Sequence, residues 1–331
     1  MRLLLCALLV AWAIPPCTAG DAVNDFPPDS SRAAERALKW LAAKQRADGA
    51  WEIGDQEGGP DVAVTSLVGM AFLSAGHVPG RGPYGDNVSR AVQYVLSCAR
   101  RNGDMSGKHS TMYGHGFGML FLSEVYGTSD DPEIGRKLRA AVTLALSAQK
   151  TDGGWRYDPS PAGPSDLSVT VCQIVALRAA HNAGVNVAKS SIDKAMTFVR
   201  KSAWGDGSFR YMLASKEGGS LAMTAAGITA LYWAGDYSAP EIARGLVRLR
   251  LTGNMDVGDE HFFYTHYYVA QAMFQAGGEH WAAYFPTARE ALLAAQAPDG
   301  SWTSPEGAPY ATAMAAIVLQ VPRQYLPIFQ R

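Results

Sequence analysis

The sequence is short of charge. Charged side chains make up 18% of its 331 residues, against roughly 25% in an average soluble domain. The two signs nearly cancel: 29 Lys and Arg stand against 30 Asp and Glu, a formal net charge of -1. A partner held through nucleic-acid phosphates is therefore excluded, because that binding needs a basic excess. Disorder is excluded as well, since hydrophobic residues reach 48% and no net charge opposes collapse. Cysteine is equally scarce, with Cys6, Cys17, Cys98 and Cys172 the full set. The first two fall in a leader described below, and the remaining pair is too small for a disulfide framework. Cys98 and Cys172 each sit in an apolar helical pattern and read as buried free thiols, with pairing after export as the alternative. Past the leader, no stretch reaches transmembrane length without a charge.

Glycine and proline are plentiful instead, at 34 and 18 residues, and a chain with that many turns needs many short elements. Its first residues do not belong to the fold. Met1-Arg2 is a basic start, Leu3 to Ile14 are free of charge, and Pro15-Pro16 end the run. Cys17-Thr18-Ala19 then supply small residues for cleavage after Ala19 or Gly20. That order is a secretory signal peptide over residues 1–19. It implies export to a periplasm or the extracellular space. An N-terminal extension, 20–30, follows, and 31–331 read as one domain.

Internal repetition is the strongest signal. Gln45 leads to Asp48-Gly49 and Trp51, Gln149 to Asp152-Gly153 and Trp155, and Gln296 to Asp299-Gly300 and Trp302. All three share Gln-x-x-Asp-Gly-x-Trp after an amphipathic helix. Two weaker copies keep the frame: Ala99, Gly103, Met105 and Ala203, Gly207, Phe209. A second helix type alternates with these and starts at Asp61, Met112, Asp166, Ser220, Phe262 and Tyr310. Several of these close on Gly, which with Asp or Ser at the start is cap chemistry. Between the caps they are apolar nearly all round, so they must be buried on both sides. An open array would expose them. The expectation is an all-α, closed (α/α)6 toroid of about six outer–inner helix pairs, stacked because no pair buries its own apolar face.

The Gln-x-x-Asp-Gly-x-Trp copies resemble the QW repeats of squalene-hopene and oxidosqualene cyclases and of protein prenyltransferase β subunits. The resemblance spans nearly all of the chain after the leader. It implies the single-toroid form, with Gln45, Trp51, Gln149, Trp155, Gln296 and Trp302 tying outer helices to the following loops as structural residues. The catalytic residues of that family do not carry over. Class II cyclases protonate an alkene with Asp-x-Asp-Asp at an inner-helix start; the best match is Asp166-Leu167-Ser168-Val169. Only the first Asp survives, and a serine hydroxyl is far too weak an acid for that step. Prenyltransferase β subunits hold zinc with Asp-x-Cys and a distant His. Here Ser168 and Ala63 stand where the thiolate belongs, and zinc needs convergent N, O or S donors. The Gly-Cys-Gly-Glu-Gln motif of complement-like thioester domains is missing too. No metal and no cofactor is expected.

The remaining candidates are polar residues at the inner-helix starts, which a toroid gathers at one mouth of its central cavity. Asp166 and Asp61, supported by His115, are the candidate acids, although both carboxylates also suit an N-cap. His115 lies between Gly114 and Gly116, which suggest a close helix approach. His109, Tyr113, Glu260, His261, Tyr264, His266 and Tyr310 are the candidate cavity residues. Phe262, Phe263, Tyr267, Phe274 and Trp233 suit either plain core or an isoprenoid pocket. Three functions follow. The first is a non-catalytic exported toroid binding an isoprenoid or other apolar ligand, or a partner protein, at the cavity mouth. The second is a divergent cyclase- or prenyltransferase-type enzyme using Asp166 or Asp61. The third is a carbohydrate-active (α/α)6 enzyme with two facing carboxylates, Asp61 with Asp166 or Glu260.

Overall fold

Twelve α-helices carry the fold of the computed structural model, which describes residues 26–54, 58–251, 255–259 and 261–330; among these there is no β-strand. The expected signal peptide and Glu260 lie outside the described residues. Six helices are outer: α1 (Pro28–Lys44), α3 (Gly85–Cys98), α5 (Pro132–Ser147), α7 (Lys189–Ser202), α9 (Pro240–Leu251) and α11 (Gly278–Ala295). Six are inner: α2 (Val62–Leu73), α4 (Thr111–Val125), α6 (Leu167–Asn182), α8 (Leu221–Trp233), α10 (Phe262–Ala276) and α12 (Ala308–Gln320). The first helix begins at Pro28 rather than Ser31, because a proline at the first helical position loses no needed hydrogen bond.

The amphipathic pattern decides the layer. In α1 the buried residues Ala33, Ala34, Ala37, Leu38 and Leu41 make one stripe, and the exposed Arg32, Arg36 and Lys39 face water. Every residue of α2 is buried. Each inner helix packs on the next, from α2 through α4, α6, α8 and α10 to α12, and α12 packs back on α2. The ring is closed, as helices without a polar face require.

The repeat motif is the joint between pairs. Trp51, Trp155 and Trp302 are buried, and each indole Nε1–H donates to the end of its own outer helix, at Leu41, Ala145 and Leu292 (2.8, 2.6 and 2.9 Å). Each Trp backbone amide donates to a threonine in the following inner helix, Thr65, Thr170 or Thr312. The glutamines reach the other way. Gln45 donates to Gly49 O and Asn87 O, Gln149 to Gly153 O and Ser191 O, and Gln296 to Gly300 O and Ala33 O. One amide thus ties its own turn to the next outer helix, and Gln296 ties the last helix to the first. Gly153 shows why the turn needs glycine: its φ is +101°, and a Cβ there would stand 2.3 Å from Lys194 O.

The first of the weaker copies solves the same joint differently. Gly103 keeps the left-handed φ and lies against Ala140 O of α5, but Ala99 has no amide to send there. His115 substitutes. It stands one turn into α4, as Thr65 does in α2, and its Nδ1 accepts the Met105 amide at 3.3 Å. Its Nε2 lies 3.1 Å from Ala141 O. The ring is 0% exposed.

The chain after α12 closes the far end of the ring. Two 3-10 turns, Val321–Arg323 and Pro327–Phe329, cross the end opposite the inner-helix starts, against α10 and α12 and then α6. Leu326 and Ile328 are buried there. Nothing in the repeat foretold this cover, since the segment lies beyond the last motif.

Candidate functional site

With one end covered, the centre of the toroid is a blind cavity of about 1020 Å3, open where the inner helices start. Ala63, Val64, Leu67, Phe117, Ala222 and Met223 supply apolar wall. Tyr113, Tyr157, Tyr211, Tyr264 and Tyr310 supply phenols, and Ser168, His109, Lys216, Glu217, His261 and Glu306 are among the polar residues of the lining. Thr111, also in the wall, holds φ at +51°, a strained setting for a β-branched residue and one typical of functional surfaces.

Of the residues expected there, His109, Tyr113, His261, Tyr264 and Tyr310 line the cavity, and Asp61, Asp166, His115 and His266 do not. The two aspartates are N-caps. Asp61 Oδ1 accepts the Val64 amide at 3.0 Å and Asp166 Oδ1 the Val169 amide at 2.9 Å, satisfying orphan helix donors. Burial raises both carboxyls above the usual range, and the capped amides pull them partly back. Asp166 Oδ2 accepts no hydrogen bond, with Arg156 Nε 3.9 Å away.

His115 is a structural residue instead of an acid's helper: both ring nitrogens are engaged in the joint between α4 and α5. Because Nδ1 accepts an amide proton, Nε2 must carry the hydrogen and the ring is neutral. Burial drives its pKa down to about 4, against a small opposing pull from Asp104. His266 is a core histidine, bonded through Nδ1 to Tyr284 Oη at 3.0 Å and stacked on the same ring. Phe262, Phe263, Tyr267, Phe274 and Trp233 are buried core and none lines the cavity.

One connection links the wall to the interior. Tyr113 Oη donates to Ser168 Oγ at 2.6 Å, and Ser168 Oγ donates to Asp166 Oδ1 at 2.9 Å. Ser168, read from the sequence only as a failed cyclase acid, is thus a positioning residue for a wall phenol. Burial pushes the Tyr113, Tyr264 and Tyr310 hydroxyls up, so they stay protonated. Across the mouth, Tyr157 and Tyr211 join hydroxyls at 2.6 Å. The loop that carries Tyr157 is held by the buried Lys150, whose Nζ donates to Ser160 O at 2.8 Å and also to Ala162 O.

Sequence reasoning missed Tyr157, Tyr211, Lys216, Glu217 and Glu306. They sit in the loops before the inner helices, where no periodicity marks them. Among the described residues, Glu217 and Glu306 are the carboxylates lining the cavity, and no group of three or more His, Cys, Asp or Glu side chains converges on a metal-sized point.

No family model matches the sequence and no curated protein does. Solved structures do match. The type II terpene cyclase MstE from Scytonema superposes with a TM-score of 0.63 at 15% identity, over 90% of this chain and 99% of that one. A variant of it holding geranylgeranyl dihydroxybenzoate, its substrate, gives 0.62 at 14% identity, over 91% and 98%. An inactive α-1,6-mannanase from Salegentibacter holding α-1,6-mannotetrose gives 0.67 at 7% identity, over 88% and 98%. At such identities the likeness is one of architecture. This chain is an α/α toroid.

Proposed function

We propose that the protein is an exported toroid of the QW-repeat type that binds an apolar, isoprenoid-sized molecule in its central cavity. The observation that carries this reading is the cavity itself: aliphatic residues and phenols make much of its wall, His109, Lys216, Glu217, His261 and Glu306 are its charged or ionisable lining, and the caps' carboxylates lie outside it. Its volume, about 1020 Å3, sits at the top of the roughly 300–1,000 Å3 range of small-molecule pockets. A cyclase must place a strong acid on an alkene, but Asp61 and Asp166 are committed to amides behind the wall. Membership of the QW-repeat group is supported by the three identical joints at Gln45–Trp51, Gln149–Trp155 and Gln296–Trp302. Export is supported by the composition of residues 1–19.

The second reading, a divergent cyclase-type enzyme, is favoured by one observation: the Tyr113–Ser168–Asp166 connection reaches from the wall to a buried carboxyl. One experiment separates the two. Purified protein is incubated with geranylgeraniol and related polyprenyl compounds, and both the bound fraction and the products are measured by mass spectrometry. Retention without chemical change is expected, lost in Ala63→Trp, which fills the wall. Turnover that Asp166→Asn abolishes while the melting curve is unchanged would establish the enzyme instead. N-terminal sequencing of the secreted product should begin at Gly20 or Asp21; retention of Met1 would reject the cleaved leader.

A further inference from the structure

A second pocket, of about 710 Å3, lies at the covered end of the ring. It sits where α1 begins and where α2 and α12 end, so the two ends of the helical repeat meet in it. Its charges are one-sided. Arg32, Arg36 and Lys39 stand on one face of α1, at spacings of four and three residues. Arg323, from the first 3-10 turn, joins them across the ring closure. Its guanidinium donates to Ser31 Oγ at 2.8 Å and lies over the Phe26 ring at 4.3 Å. Against these four cations the lining holds one carboxylate, Glu35. In a chain of net charge -1 that is a local excess of positive charge.

The four cations are not matched to carboxylates. Elsewhere Arg46, Arg100, Arg136 and Arg200 each pair with an Asp or Glu. Among the described residues none of the pocket's four does so, and the side chains of Arg32 and Lys39 make no hydrogen bond either. Glu35 stands at pairing distance along the helix from both, yet it accepts the Ser31 hydroxyl at 3.3 Å instead. Arg36 gives one N–H to Gln296 Oε1, and Arg323 gives one to Ser31. Each guanidinium is thus anchored with most of its five donors still open. The rest of the lining is largely apolar: Ala34, Leu38, Ala75 and Pro83, with Tyr84 edge-on to His77 at 5.0 Å.

Such a pocket asks for a ligand that brings negative charge, several acceptor oxygens and a compact body. A carboxylate brings one charge. A phosphate monoester brings nearly two at neutral pH and three acceptor oxygens, which guanidinium forks match. We propose that this pocket binds a phosphate-bearing small molecule, with Arg32, Arg36, Lys39 and Arg323 on the phosphate oxygens and the body of the molecule against Leu38 and Tyr84. The site is separate from the central cavity and stands whether or not that cavity takes an isoprenoid.

The test is isothermal titration calorimetry of the purified protein with phenyl phosphate and pyrophosphate at low ionic strength, beside sedimentation with phosphatidylglycerol vesicles. Both soluble phosphates should bind saturably, and added salt should weaken them. Arg32→Gln and Lys39→Gln remove solvent-facing charges that hold nothing in the fold, and each should weaken binding about tenfold, the worth of one hydrogen bond to a charged group. Glu35→Gln should tighten it. Arg139→Gln, an exposed arginine of α5 outside the pocket, should leave it unchanged. No saturable binding at millimolar phosphate would overturn the proposal, as would an equal loss in Arg139→Gln. Binding to the vesicles with none to the soluble phosphates would overturn it too, and would make this end of the ring a lipid-contact surface.

Discussion

Acid should weaken this fold through His115. Its ring must be neutral to accept the Met105 amide at Nδ1 while Nε2 donates to Ala141 O. Burial lowers its pKa from an ordinary 6.5 to about 4. The folded state therefore binds its proton less readily than the unfolded chain, and stability must rise with pH across that interval. The contribution is complete above pH 6.5 and is lost as pH falls toward 4. At about 1.4 kcal/mol per pH unit, the loss from neutrality is about 2 kcal/mol by pH 5 and about 3 kcal/mol by pH 4. The perturbation is His115→Thr, which installs the side chain found at the same place in α2, α6 and α12. Urea unfolding followed by far-ultraviolet circular dichroism, at neutral pH and near pH 5, gives the stability of both proteins. The variant should be less stable at neutral pH, because the link to Ala141 O is gone, but its additional loss on acidification should be about 2 kcal/mol smaller. Equal acid sensitivity in the two proteins would refute the argument that a buried neutral imidazole holds this joint.

Four further outcomes follow from the ring. Gly153→Ala, with φ at +101° and Lys194 O 2.3 Å from the new Cβ, should cost about 2–5 kcal/mol by urea unfolding. Gly184→Ala, at φ +87° with open space around it, should cost only about 1–2 kcal/mol. Gln296→Ala leaves Ala33 O and Gly300 O without their donor and should cost about 1–3 kcal/mol, with hydrogen exchange rising first in α1 and α11; uniform exchange would argue against a ring joint. Glu124, near the end of α4 and facing the Ile328 amide, has its pKa pushed up to about 8 by burial. Its contribution is present below about pH 4.5, is lost as pH rises to 8 and changes no further above that, so Glu124→Gln should flatten the stability decline between pH 5 and 8.

The layers were legible because each is a statement about burial. Ala33, Ala37 and Leu41 recur at helical spacing with Arg and Lys opposite, whereas α2 offers no polar side, and only closure buries such a helix. The repeat also marked its own joints: the three glutamines and three tryptophans all make the bonds the motif implies. The site was legible in part. Tyr113, Tyr264, Tyr310, His109 and His261 reach the cavity because they stand at inner-helix starts. His115 and His266 stand there too, but a helix start has several faces and only one of them meets the cavity. Glycine neighbours around His115 signalled a close approach, which proved to be to α6: a Cβ on Gly116 would lie 2.5 Å from Cys172 Sγ.

Periodicity and cap residues by themselves determined that this chain is an all-helical ring of six pairs, because those rules act between residues a few positions apart. Only the tertiary structure decided what the ring encloses. The 3-10 turns that cover its far end, the loops that bring Tyr157 and Tyr211 across its mouth, and the direction of the protons from Tyr113 to Asp166 all join segments 40 or more residues apart. No local pattern encodes such a meeting. It follows from closing the ring, and with it came the reassignment of Asp61, Asp166 and His115 from expected chemistry to the bonds that hold the wall in place.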